Sequence, residues 1–201
     1  NNYLKTVTLE YPVAELKAQL KYDPDPISRI YAAIALGKKG NLEVVKILKQ
    51  ALKEDTFWGV KVEVAKQLSK IKLNQATDAL ILGLEDENPK VRKAVIEALS
   101  EIKTIQSYET VKKIVEAGDA SYYVESAAMR ALGTIVSGNL ENKQAEVIEI
   151  LRQILVEKAG WNEIIRSGAI GGLSKLKTSP EAADLIIEYT HLGVPQPLRL
   201  A

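Results

Sequence analysis

One segment recurs five times in this chain, and that recurrence leaves few folds open. Its clearest copy runs Asp86-Glu87-Asn88-Pro89-Lys90-Val91-Arg92-Lys93-Ala94-Val95-Ile96-Glu97-Ala98-Leu99. An acidic turn ends in a residue able to cap a helix. Pro89 follows at the first helical position, where its missing N–H costs nothing. Val91, Ala94, Val95, Ala98 and Leu99 then fall at helical spacing on one apolar face. With Leu99 as anchor, equivalent leucines stand at Leu36, Leu68, Leu132 and Leu173. Thirteen residues before each anchor are Asp23, Asp55, Asp86, Asp119 and Gly160. Seven before are Arg29, Lys61, Arg92, Glu125 and Arg166, mostly basic. The period is about 31–33 residues, with the fourth unit longer by about eight around the polar stretch 137–142. A fixed period in this range builds a chain of stacked units.

Each unit reads as two helices. The first carries the anchor pattern. The second is shorter and amphipathic, as in Leu42, Val45, Leu48 and Leu52, or Val147, Ile150, Leu151 and Ile154. Small residues at the anchor face (Ala32, Ala33, Ala35; Ala127, Ala128, Ala131; Gly168, Ala169, Gly172) let neighbouring helices approach closely. The Asp-x-x-Pro-x-Val-Arg type of segment followed by Ala and Leu resembles HEAT repeats over residues 23–193. The expected fold is all-α, an α-α superhelix or HEAT-like solenoid of about five helical pairs with a short N-terminal strand or arm. The units are expected near 23–54, 55–85, 86–118, 119–159 and 160–193, within a solenoid spanning 12–201.

Residues 4–11 alternate apolar and polar, with Val7, Leu9 and Tyr11 on one side, as a strand would. A lone strand needs a partner sheet. The segment (1–11 in all) reads either as the remnant of a preceding β domain or as an extended arm packed on the first helix. Pro12 can open a helix to about Tyr22. The stretch from Ala76 to Leu84 is so apolar that it is expected in the middle of the stack, covered on most sides. Pro180 starts the last second helix, Gly193 is expected to stop it, and Pro195 and Pro197 to prevent its resumption.

Composition narrows the function. The net charge of +1 favours neither nucleic acid nor an acidic membrane surface. No run approaches the ~18 apolar residues of a membrane span. The absence of cysteine excludes disulfides and thiol chemistry and fits a reducing compartment, so a cytoplasmic location is expected. The one methionine is Met129, so the chain reads as part of a longer protein. The single histidine, His191, with Asp184 and Glu188 nearby, makes a poor zinc site, because such sites want three or four ligands. No metallopeptidase, hydrolase, phosphate-loop or dinucleotide motif is present. No catalytic residue, metal ligand or cofactor is therefore assigned to this chain.

Two groups of residues are candidates for interaction. Phe57, Trp58, Tyr122, Tyr123 and Trp161 lie nine to twelve residues before an anchor leucine, at the corner where one repeat passes to the next. They form either an aromatic ridge that grips a partner or filler under the inter-repeat turns, and the filler role is the expected one. The second helices usually line the concave side of a solenoid. There stand Lys46, Lys49 and Lys53, then Lys112 and Lys113, then Glu181, Asp184 and Glu188, a series running from basic to acidic. Such a series suits a protein of matching polarity better than a phosphate backbone.

The corner segments 55–65, 119–128 and 160–169, together with Leu4-Lys5-Thr6 and the following Leu16-Lys17-Ala18-Gln19-Leu20, resemble the C-terminal helical domain of aminopeptidase N-type zinc metallopeptidases. That resemblance implies a non-catalytic domain that packs on an upstream catalytic domain and limits peptide access. The parent's zinc would lie in that upstream domain. The alternative is a free-standing HEAT scaffold, of the assembly-factor or pigment-lyase-subunit type, that binds another protein. A HEAT-like DNA glycosylase would need a basic groove throughout, which the net charge and the acidic last helix oppose.

Overall fold

The computed structural model describes residues 11–138, 140–158 and 163–201, and helices are the only regular secondary structure among them. Tyr11 apart, the strand or arm expected over 1–11 lies outside the described residues, as does Trp161. The chain divides into two compact bodies, Asn1–Ala98 and Leu99–Ala201.

The first body holds α1 (Val13–Tyr22), α2 (Pro26–Lys39), α3 (Leu42–Glu54), α4 (Trp58–Leu68) and α5 (Asn74–Leu82), the last extended by a 3-10 turn at Gly83–Glu85. Helix α6 (Pro89–Ile102) runs through the division. The second body continues with α7 (Ile105–Ala117), α8 (Tyr122–Val136), a 3-10 turn at Glu141–Lys143, α9 (Gln144–Glu157), α10 (Ile164–Leu173), α11 (Pro180–Ile187) and α12 (Gln196–Arg199).

The repeat positions explain themselves in these helices. Asp23, Asp55, Asp86 and Asp119 each accept the backbone N–H two residues on, at 2.9, 2.8, 2.9 and 2.8 Å. Each thereby builds the same Asx turn ahead of a first helix. The basic residue seven before the anchor serves that turn. Arg29 Nη1 donates to the Asp23 carbonyl at 2.9 Å, and Arg92 Nη1 to that of Asp86 at 2.8 Å. The same group also reaches the turn of the next repeat. Arg29 pairs with both oxygens of Asp55 at 2.8 and 3.0 Å, and Lys61 pairs with Asp86 at 2.6 Å. The fourth unit carries Glu125 there, and it accepts the Asp119 amide at 3.3 Å instead. One turn is thus tied from either polarity.

Capping sets the remaining boundaries. Asp25, Asn41, Thr104 and Ser179 each accept a first-turn amide of the helix that follows, and Pro26 and Pro180 open their helices. All five anchor leucines are buried, together with Val91, Val95, Ala98 and Ile96 of the clearest copy.

The first helices pack most closely where residues are smallest. In the second body α8 lies on α10, and a Cβ on Gly133 would stand 2.0 Å from the Gly172 carbonyl oxygen. A Cβ on Gly172 would stand 2.5 Å from the Met129 carbonyl oxygen. These glycines are there because two backbones touch. In the first body α2 lies on α4, where Gly37 leaves room for the buried Gln67 side chain.

Over residues 76–84 only Asp78 and Leu82 are exposed, so most of this apolar stretch is covered, with Leu82 50% exposed. Two expectations need correction here. Helix α11 ends at Ile187, well before Gly193, because Thr190 takes the Ile187 carbonyl with its hydroxyl at 2.8 Å and closes the helix. Glu188 and His191 therefore lie beyond it. The chain does become helical again after Pro195. Pro197 sits in the first turn of α12, where no N–H is needed, and Leu198 is buried. Ser167 of α10 donates to the Pro197 carbonyl at 3.2 Å, which fastens the turn in place.

Candidate interaction surface

The four corner aromatics among the described residues are part-exposed: Phe57 and Trp58 are 36% and 39% exposed, and Tyr122 and Tyr123 are 44% and 62% exposed. Trp58 and Phe57 lean on each other, ring centroids 5.6 Å apart, and Lys90 Nζ lies 4.1 Å from the Trp58 ring centroid. Beside them is an open hollow of about 250 Å³ between Asp55, Lys61, Asp86 and Asn88. Lys61 holds Asp86 and Arg29 holds Asp55 there, and Glu87 lines it as well.

The other side of the first body is different. Helices α1, α3 and α5 leave two grooves, one on each side of α3. The first, about 190 Å³, has Leu20, Ile47 and Ala51 in it, with Lys17, Lys21 and Gln50 along its sides. The second, about 420 Å³, has Leu52, Ala79 and Leu82, with Lys49 and Lys53 along its side. Lys46 is exposed on α3 as well. None of Lys17, Lys46, Lys49 and Lys53 is in an ion pair or hydrogen bond, and Lys21 meets only the Tyr22 ring, 5.2 Å away. Acids border this face too: Glu54 accepts from Gln50, Asp55 and Asp86 are held by Arg29 and Lys61, Glu85 lines the second groove, and Glu43 of α3 and Asp78 of α5 are exposed.

Of the lysines singled out in the second body, Lys113 is exposed and Lys112 is not a free charge. Lys112 pairs with Glu146 and Glu116, and Lys143 reaches the other Glu146 oxygen at 3.1 Å. Hydrogen bonds from Lys112 and then Lys143 hold the Glu146 carboxyl down at about 2, and the same contact raises the Lys112 ammonium. The buried Tyr108 hydroxyl lies near Glu146 but outside hydrogen-bond geometry, and burial pushes its pKa up. Glu181 is likewise occupied, by Arg152 at 2.6 Å. The expected run from basic to acidic is therefore partly neutralised within the second body, and of the lysines expected on it Lys46, Lys49 and Lys53 of α3 and Lys113 of α7 carry no ion pair among the described residues.

Sequence reasoning missed Lys17, Lys21 and Leu82. Lys17 and Lys21 are spaced four apart on α1, so they share a face; α1 belongs to no numbered unit and was not counted with the second helices. Among the described residues no group of three or more His, Cys, Asp or Glu could hold a metal ion. No helix there is long and apolar enough to cross a membrane.

Residues 13–86 match the family described as HEAT repeats, and residues 77–105 match the HEAT repeat. Residues 13–105 therefore match HEAT repeats, within a fold that is all-helical over the described residues. No curated protein matches the sequence. Among solved structures, the complex of CpcE and CpcF of phycocyanin lyase from Nostoc sp. PCC7120 is similar at a TM-score of 0.62 and 20% identity, over 90% of this chain and 71% of that one. Human deoxyhypusine hydroxylase in complex with glycerol gives 0.57 and 22%, over 94% and 70%. An engineered protein gives 0.54 and 23%, over 94% and 96%. Identities this low show shared fold. None of these matches is a peptidase, and the aminopeptidase parentage expected from the corner segments gains no support from them.

Proposed function

We propose that this HEAT-repeat chain is a non-catalytic protein-binding scaffold, and that it takes its partner on the face formed by α1, α3 and α5. The observation that carries this reading is the pair of grooves beside α3, apolar inside and edged by lysines that are in no ion pair among the described residues. Exposed apolar surface next to unpaired charge is the composition of a docking surface rather than of a solvated one. The helical-repeat fold supports the same reading, since stacked helix pairs present long faces for partners. The similarity to the complex of CpcE and CpcF, an assembly of two proteins, is consistent with it. The partner on this reading is another protein, and neither nucleic acid nor a membrane.

The test is site-specific crosslinking in the protein's own cells. A photoreactive side chain replaces Gln50, beside the first groove, or Lys66 on α4, which lines neither groove. A discrete protein adduct from position 50 that Lys49→Glu with Lys53→Glu abolishes is the expected result. Adducts of the same mass from both positions, or from position 66 alone, overturn the assignment of the face.

A further inference from the structure

We infer that the α1–α3–α5 face recognises an acidic amphipathic helix of its partner. Two apolar side chains of that helix enter the two grooves, and carboxylates between them meet the lysines of α3. This rests on the protein-binding reading above and adds the chemistry of the ligand.

Volume, spacing and charge argue for it separately. A cavity of about 150 Å³ accepts a benzene-sized group. The grooves offer about 190 and 420 Å³, so each takes one large apolar side chain. Packed helix axes lie about 8–10 Å apart, so grooves flanking a single helix are about that far apart too. On a partner helix rising ~1.5 Å per residue, two residues seven apart span about 10.5 Å and share a face. The residues three and four after the first anchor then lie over the crest of α3. That crest carries Lys46, Lys49 and Lys53, exposed and without partners. The recognised pattern is therefore apolar, two residues, a pair of Asp or Glu, two residues, apolar. Lys17 and Lys21 at the outer edge of the first groove extend the same sign beyond the first anchor. A nucleic-acid backbone fits less well, because it has no apolar group to place in the grooves.

The experiment uses the full chain and a labelled alanine-based helical peptide. The peptide carries leucines seven residues apart and glutamates at the third and fourth positions between them. Fluorescence anisotropy is expected to show saturable binding that weakens as salt rises. Lys49→Glu with Lys53→Glu should weaken it about tenfold or more, through loss and reversal of two charges. Lys66→Glu, away from both grooves, should leave it unchanged, and circular dichroism of each variant checks that the fold survives. A peptide with serines for the leucines should not bind. No binding of the parent peptide overturns the inference, and so does equal binding of the serine peptide or equal loss with Lys66→Glu. Displacement of the peptide by a short DNA duplex would also overturn it, in favour of phosphate recognition. Should position 50 still crosslink a protein in cells while the peptide fails, the scaffold reading stands and only the ligand chemistry is wrong.

Discussion

Glu146 shows how one side chain decides whether a neighbouring lysine is available. Its two oxygens are divided between Lys112 and Lys143, and the three groups close over Tyr108. The sign of its pH effect follows from the depressed pKa. An unfolded carboxyl titrates near 4.5, and in the fold this one is held at about 2. Its contribution is therefore complete above about pH 4.5 and is lost as pH falls through the folded value. Glu146→Gln should lower the urea midpoint at neutral pH. The gap between variant and parent should narrow steadily as pH drops from about 4.5 toward 2. A gap independent of pH would mean that the carboxylate charge contributes nothing there. Arg29 with Asp55 and Lys61 with Asp86 are the more buried counterparts, and their recurrence gives chemical meaning to the basic and acidic positions of the repeat. Those roles were half legible. The periodicity showed that the residues recur, but the link from one repeat's cation to the next repeat's aspartate needs the three-dimensional stacking.

At the scale of the helix, the periodic apolar residues, the capping residues and the prolines that open helices were enough to place most of the elements in order. They succeed because each acts within one or two turns of its own position. What they could not reveal depends on contacts distant in sequence. Pro197 reads as a breaker until Leu198 and Ser167 are seen to hold its turn against α10. How far the corner aromatics are covered also depends on the fold, and Phe57, Trp58, Tyr122 and Tyr123 turn out part-exposed. The register of the repeat itself can be tested through its anchor. Leu99 is fully buried in α6, so Leu99→Ala should cost about 2–5 kcal/mol as a large-to-small change. Calorimetry or denaturant unfolding measures it. An unmoved midpoint would show that the anchor is misassigned and that α6 turns another face inward.

For the molecule as a whole, charge has to be located before it can be interpreted. A net charge of +1 excludes a globally basic protein, yet it hides five lysines on α1 and α3 that are in no ion pair among the described residues, offset in the total by carboxylates elsewhere in the sequence. The resemblance of the corner segments to aminopeptidase N-type enzymes has no counterpart in the families and structures that match this chain. The lineage it implies can be separated from a scaffold role by the mass and metal content of the native protein. An antibody to this segment isolates it from its own cells, and mass spectrometry with elemental analysis reads both quantities. On the scaffold reading the isolated chain carries no stoichiometric zinc, and the protein crosslinked at position 50 co-purifies with it. One zinc per molecule, in a chain several-fold larger with the corner segments near its C-terminus, would reverse that. The α1–α3–α5 face would then be sought against the enzyme's own catalytic domain, because free lysines and open grooves can dock within a chain as well as between chains.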